Sequence, residues 1–144
     1  MFDISHLHPL MVHFPIALLI TGFFLEVLSL FFNKKEPSLS KAAFYLMLLG
    51  TLGAIFAFLS GEFFTEELEG KAGEIEELHE IFAKITMYTM IVASVLRILL
   101  LIRKKENTAW KWVVFSLFFI GTVFVGITGL YGGTLVYNYI ISGL

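Results

Sequence analysis

The chain has 144 residues, 58% hydrophobic and 15% charged, with a net charge of −2 and a mean hydropathy of +0.85. A soluble domain carries about 25% charged residues, so this balance excludes an ordinary soluble fold and, lacking a basic surface, nucleic-acid binding. With no cysteine, disulfides, cysteine-ligated zinc, iron–sulfur clusters and covalent CxxCH haem attachment are excluded too.

The first stretch, "MFDISHLHP", holds no Lys or Arg ahead of the apolar run. It reads as part of the mature protein and not as a signal peptide. Helix one is expected over about 9–32, with His6, His8 and His13 at its start and two prolines, Pro9 and Pro15, among them. Pro9 suits a first turn. Pro15 removes a hydrogen bond from a helix interior, so either helix one kinks there or residues 9–14 form a turn and regular helix begins near Pro15. On a regular helix His8 and His13 stand roughly 140° apart. Glu26 lies farther along the same segment.

The connection "NKKEPSLSK" (33–41) is basic and broken by Pro37. Helix two is expected over about 42–64, and its "GTLGAIFAFLSG" carries small residues that let membrane helices approach or leave room for a flat cofactor. The next connection, "EELEGKAGEIEEL" (66–78), is strongly acidic: a solvated face, or a dock for a basic cytochrome. Helix three is expected over about 75–102, apolar from Ile81, with His79 near its start and Arg97 near its end. The connection "RKKENTAWK" (103–111) is basic again. Helix four is expected over about 109–131, with Trp110 and Trp112 as interface anchors. It should break at Gly132–Gly133, so that "YGGTLVYNYIISGL" folds back over the histidines as a lid.

Each segment has the roughly 20 residues needed to cross a hydrocarbon core, and helices satisfy their own backbone there. The expected fold is all-α: one integral membrane domain over 1–144, a four-transmembrane-helix antiparallel bundle. Lys34, Lys35, Lys41, Arg103, Lys104, Lys105 and Lys111 lie in connections one and three. Positive-inside logic puts those connections in the cytoplasm and both termini on the outer, periplasmic side. All four histidines then gather at the outer end, although 66 positions separate His13 from His79.

Neutral imidazoles on two helices are the donor set for b-type haem. His13 and His79 are the candidate iron ligands, with His8 as substitute or supporting partner, for electron transfer or haem handling. A zinc or copper site is the metal alternative, drawing on His6, His8, His13 and His79 with Glu62, Glu66 or Glu80, although no HExxH pattern appears. The runner-up to haem, ahead of the metal site, is a non-catalytic subunit of a respiratory membrane complex with structural histidines. Enzyme activity is not implied by any of these. Glu26 and Arg97 should pair, since charges at such depth face the bundle; the pair is a structural clamp or an element of a proton path. Expected partners are the lipid bilayer, a redox partner or other membrane subunits, or a second copy of the chain.

"HPLMVHFPIAL", "LHEIF" and "GGTLVY" together resemble the bacterial four-helix membrane family catalogued as domain of unknown function 2231. The resemblance covers nearly the whole chain and implies a multi-pass protein of the bacterial inner membrane. Association of that family with cytochrome-like domains implies a redox or haem-linked role. By position, His8, His13 and His79 match the family's histidines, Glu26 its acidic residue in helix one and Arg97 its arginine in helix three. Many relatives carry His-Gly after the GGxLVY stretch, where this chain has Tyr139-Ile140. That departure implies fewer cofactors, or reliance on the remaining histidines.

Overall fold

Four runs of apolar residues, each too long for a soluble core helix, become four helices in the computed structural model. It describes residues 7–32, 36–64, 68–106 and 108–140, with side chains over 11–32, 36–63, 68–106 and 108–139. The helices are α1 (Leu7–Phe32), α2 (Ser38–Phe64), α3 (Gly70–Ile102) and α4 (Trp110–Leu135). A single π-helical turn, Val136–Ile140, continues α4. All four helices are long and apolar enough to cross a membrane, and the described residues contain no strand.

The chain forms two antiparallel hairpins. α1 packs mainly on α2 and α4 mainly on α3; α2 meets α3, and α1 meets α4, more lightly. α1 and α3 therefore occupy one diagonal of the bundle. Lipid tails are as apolar as leucine, so close packing and interhelical hydrogen bonds hold such helices together. Small residues supply the closeness. A Cβ at Gly50 would sit 2.7 Å from Leu19 Cγ, and one at Gly53 would sit 3.3 Å from Pro15 Cδ, both across the α1–α2 contact. Gly121 of α4 makes room for Met90 of α3 in the same way. Leu19, Met47, Met90, Ala93, Phe118 and Val125 form the buried centre.

Helix α1 runs unbroken through Pro15. The alternative of a turn over 9–14 is corrected: Pro15 is a buried knob against Gly53 inside a helix that has already begun. Pro9 falls in the first turn, where backbone N–H groups have no helical partner to lose.

Two other boundaries differ from expectation. α3 begins at Gly70, inside the acidic stretch. Gly70 holds φ +66, which a residue without Cβ adopts freely. Glu76 then reaches back, its Oε2 accepting the Leu68 N–H at 2.8 Å, and Gly73 leaves room for the Leu68 carbonyl. The acids thus ride on the first turns of a long helix. At the other end, α4 does not break at Gly132–Gly133 but continues to Leu135 and into the π-turn. Each glycine costs a helix about 1 kcal/mol, whereas backbone groups stripped of partners in an apolar medium cost several. The expected fold-back is therefore corrected as far as Ile140, and residues 141–144 lie outside the described residues.

Candidate functional site

His79 sits in the third turn of α3, on the side facing α4. Its Nδ1 is 2.9 Å from the Thr128 carbonyl oxygen of α4. A carbonyl only accepts, so Nδ1 carries the hydrogen and Nε2 carries the ring's lone pair. The imidazole lies against the bare Cα of Gly132, where a Cβ would sit 3.1 Å from Cε1. Phe82, three residues on, stacks between Phe124 and Tyr131 of α4 at centroid distances of 5.7 and 5.6 Å. The ring of His79 is thus held on a rigid helix pair. Glu80 pairs with Lys84 on the same helix, and Lys84 Nζ stands 5.8 Å from the Phe58 ring of α2.

His13 lies on α1, at the opposite corner of the bundle, and its side chain is exposed. Its height follows from α4. Ile16 of α1 abuts Gly129, and Met90 of α3 abuts Gly121. Counting along α4 from these contacts sets both His13 and His79 near Gly132, at one level of the bundle. The two rings share a height but not a helix contact. His8 occupies the first turn of α1 and its side chain lies outside the described residues, as does His6 entirely. Among the described residues no three His, Asp or Glu side chains form a metal-binding group. Of the carboxylates weighed as metal donors, Glu80 is engaged by Lys84, Glu62 is exposed, and Glu66 lies outside the described residues.

At the other end of the bundle Glu26 and Arg97 meet across the diagonal. Arg97 Nη1 is 3.5 Å from Glu26 Oε1, and Nη2 donates to Ser40 Oγ at 3.1 Å. Arg97 is only 9% exposed. One turn nearer the centre, Ser94 and Thr51 share a buried hydrogen bond of 2.9 Å between α3 and α2. Two small cavities, about 10 and 30 Å3, border the ion pair rather than the histidines.

Residues 5–142 match the family described as "Predicted membrane protein (DUF2231)". The chain belongs to the DUF2231 family. Its membership and its four apolar helices make it a multi-pass membrane protein in a lipid bilayer. All the residues above lie within the DUF2231 match. No curated protein and no solved structure matches the chain.

Ser40, Thr128 and the Thr51–Ser94 pair were not singled out by sequence reasoning. Ser40 falls in a stretch read as connection, yet α2 begins two residues before it, directly after Pro37. Thr128 contributes its backbone carbonyl, which has no sequence signature.

Proposed function

We propose that this DUF2231 protein binds b-type haem through His79 and His13, serving electron transfer or haem handling at the outer face of a bacterial inner membrane. The supporting observation is the 2.9 Å contact of His79 Nδ1 with the Thr128 carbonyl. Imidazoles that ligate metals donate their other ring N–H to a carbonyl or carboxylate, which fixes the tautomer and raises the basicity of the ligating nitrogen. His79 has this arrangement on a rigid element, with a second imidazole, His13, at the same height. The donor set fits haem iron, and haem when bound supplies one-electron redox chemistry. His79 would present Nε2, Thr128 would orient it, and Gly132 would keep the ring seated. His8 is the substitute for His13. The orientation rests on the lysines and Arg103 of connections one and three, which favour the cytoplasm.

A second reading has its own support. The same His79–Thr128 bond ties α3 to α4, and His13 is exposed and on the diagonal helix. In that reading the histidines are structural and the protein is a subunit of a larger membrane complex. Reduced-minus-oxidised visible spectra of the purified chain, expressed with ample haem, separate the two. Sharp α and Soret bands lost in His79→Ala support haem ligation. A colourless protein that co-purifies with a stoichiometric membrane partner supports the subunit, and elemental zinc or copper in a colourless protein supports a metal site.

A further inference from the structure

Two openings flank the Glu26–Arg97 pair at the end of the bundle away from the histidines. The outer one, about 30 Å3, is bordered by both residues with Leu30, Lys111, Trp112 and Phe115. The inner one, about 10 Å3, is bordered by the same pair with Met47 and Phe118. A water needs about 10–15 Å3 and two to four polar partners. On that scale the outer cleft takes about two waters and the inner one a single water at most. The Glu26 carboxylate, the Arg97 guanidinium and the Lys111 ammonium supply the polar partners. The pair itself leaves room for them. An ion pair in full contact closes to about 2.7–2.9 Å, whereas Arg97 Nη1 stands 3.5 Å from Glu26 Oε1, and the Glu26 side chain keeps 13% exposure. A polar contact of that length is where a bridging water belongs.

The charges around Glu26 balance. Arg97 of α3 and Lys111 of α4 are the cations that act on it, and Glu106, on the loop before α4, is the second carboxylate. α2 contributes the neutral Ser40, which accepts from Arg97 Nη2 at 3.1 Å. Such a cluster has no net charge to hold an ion, but it can hold water. Toward the middle of the bundle the polar string stops. Thr51 donates its hydroxyl hydrogen to the Met47 carbonyl at 2.7 Å, so Ser94 is the donor in the 2.9 Å bond to Thr51. That chain ends on a carbonyl, which has no proton to pass on. Leu19, Met47, Met90 and Phe118 fill the centre, each at most 2% exposed. We propose that the cleft is a water site through which Glu26 exchanges protons with the basic end of the bundle alone, passing none across it. In the exchange a hydronium in the cleft gives its proton to a Glu26 oxygen and stays as water. The carboxylate becomes a carboxylic acid, and the cluster gains one positive charge. Ionisable residues at membrane depth mark proton routes; this route has a single opening.

The test uses the full chain in lipid nanodiscs, stepped from neutral to acid pH and followed by infrared spectroscopy. A carboxylic-acid C=O band should rise, shift in D2O and be missing from Glu26→Gln. Glu26→Asp keeps a carboxyl and should move the band, so the assignment stands even where the glutamine variant fails to fold. Leu30→Trp fills the cleft without changing its charge. It should slow the rise of the band after a pH jump about tenfold, the barrier added by losing one water hydrogen bond to a charged group. Vesicles carrying the parent chain, under a potassium–valinomycin potential, should conduct protons no faster than protein-free vesicles. Spectra identical in the parent and both Glu26 variants overturn the exchange. An unchanged rate in Leu30→Trp overturns the cleft as its route. Proton conduction above that of the lipid alone overturns the closed centre.

Discussion

Removing one partner of the Glu26–Arg97 pair tests how the bundle tolerates charge. At 3.5 Å two unit charges attract by about 5 kcal/mol at an effective dielectric of 20. Desolvation of both ions opposes that gain and can exceed it. Glu26→Leu leaves Arg97 buried at 9% exposure with Ser40 as its remaining partner. The long 3.5 Å contact places the cost at the lower end of the range for breaking a buried pair, about 3 kcal/mol. Arg97→Met should cost about the same, because it strands the carboxylate. The double variant, Glu26→Leu with Arg97→Met, removes both charges and should return to within about 1 kcal/mol of the parent. Reversible unfolding in mixed micelles, followed by tryptophan fluorescence, measures all four corners of the cycle. Single variants within about 0.5 kcal/mol of the parent, or a double variant as unstable as the two singles summed, would refute the reasoning.

Three further predictions use the same packing. Gly50→Ala should destabilise by about 1–3 kcal/mol, because the new methyl meets the fully buried Leu19. Gly126→Ala meets nothing within 4 Å and should stabilise by up to about 1 kcal/mol through helix propensity; equal shifts in the two unfolding midpoints would count against the glycine contacts. Lys104 closes α3 at φ 54, with its N–H on Leu101 O and the Lys105 N–H on Leu100 O. Lys104→Gly relieves a left-handed backbone and should stabilise by about 1 kcal/mol, whereas a loss of stability would deny that cap. On the proposed haem reading, Gly132→Ala, whose Cβ would sit 3.1 Å from His79 Cε1, should press on that ring and lower the haem signal in the reduced-minus-oxidised spectrum. Gly133→Ala, with no neighbour within 4 Å, should not; matching spectra for the two variants would remove Gly132 from the site.

The spans were legible because length and hydropathy alone decide them. Glu26 and Arg97 were legible because a charge in an apolar segment has few places to go. The start of α3 was not, because acids and glycines read as loop when they are solvated. Here Gly70 starts the helix and Gly73 admits the Leu68 carbonyl, so the acidic stretch is helical. The glycine pair in α4 misled for a related reason. Gly132 and Gly133 break a helix in water, but a bundle in lipid penalises the break more. The histidines gathered at one end by topology, yet their contacts could not be read. His79 bonds to a backbone carbonyl, and the phase of α1 that turns His13 outward depends on which side α2 covers.

The midpoint of α1 falls between Leu19 and Ile20, which places His13 about 10 Å from it at 1.5 Å per residue. His79 stands at a similar distance from the middle of α3. With the bundle centred in a hydrocarbon core of about 30 Å, both imidazoles lie about 5 Å inside one boundary. A charge there has crossed roughly one-sixth of the membrane's electrical field. At 100 mV that fraction amounts to about 0.4 kcal/mol per elementary charge. A protonation change at His13 or His79 would therefore be nearly blind to the membrane voltage.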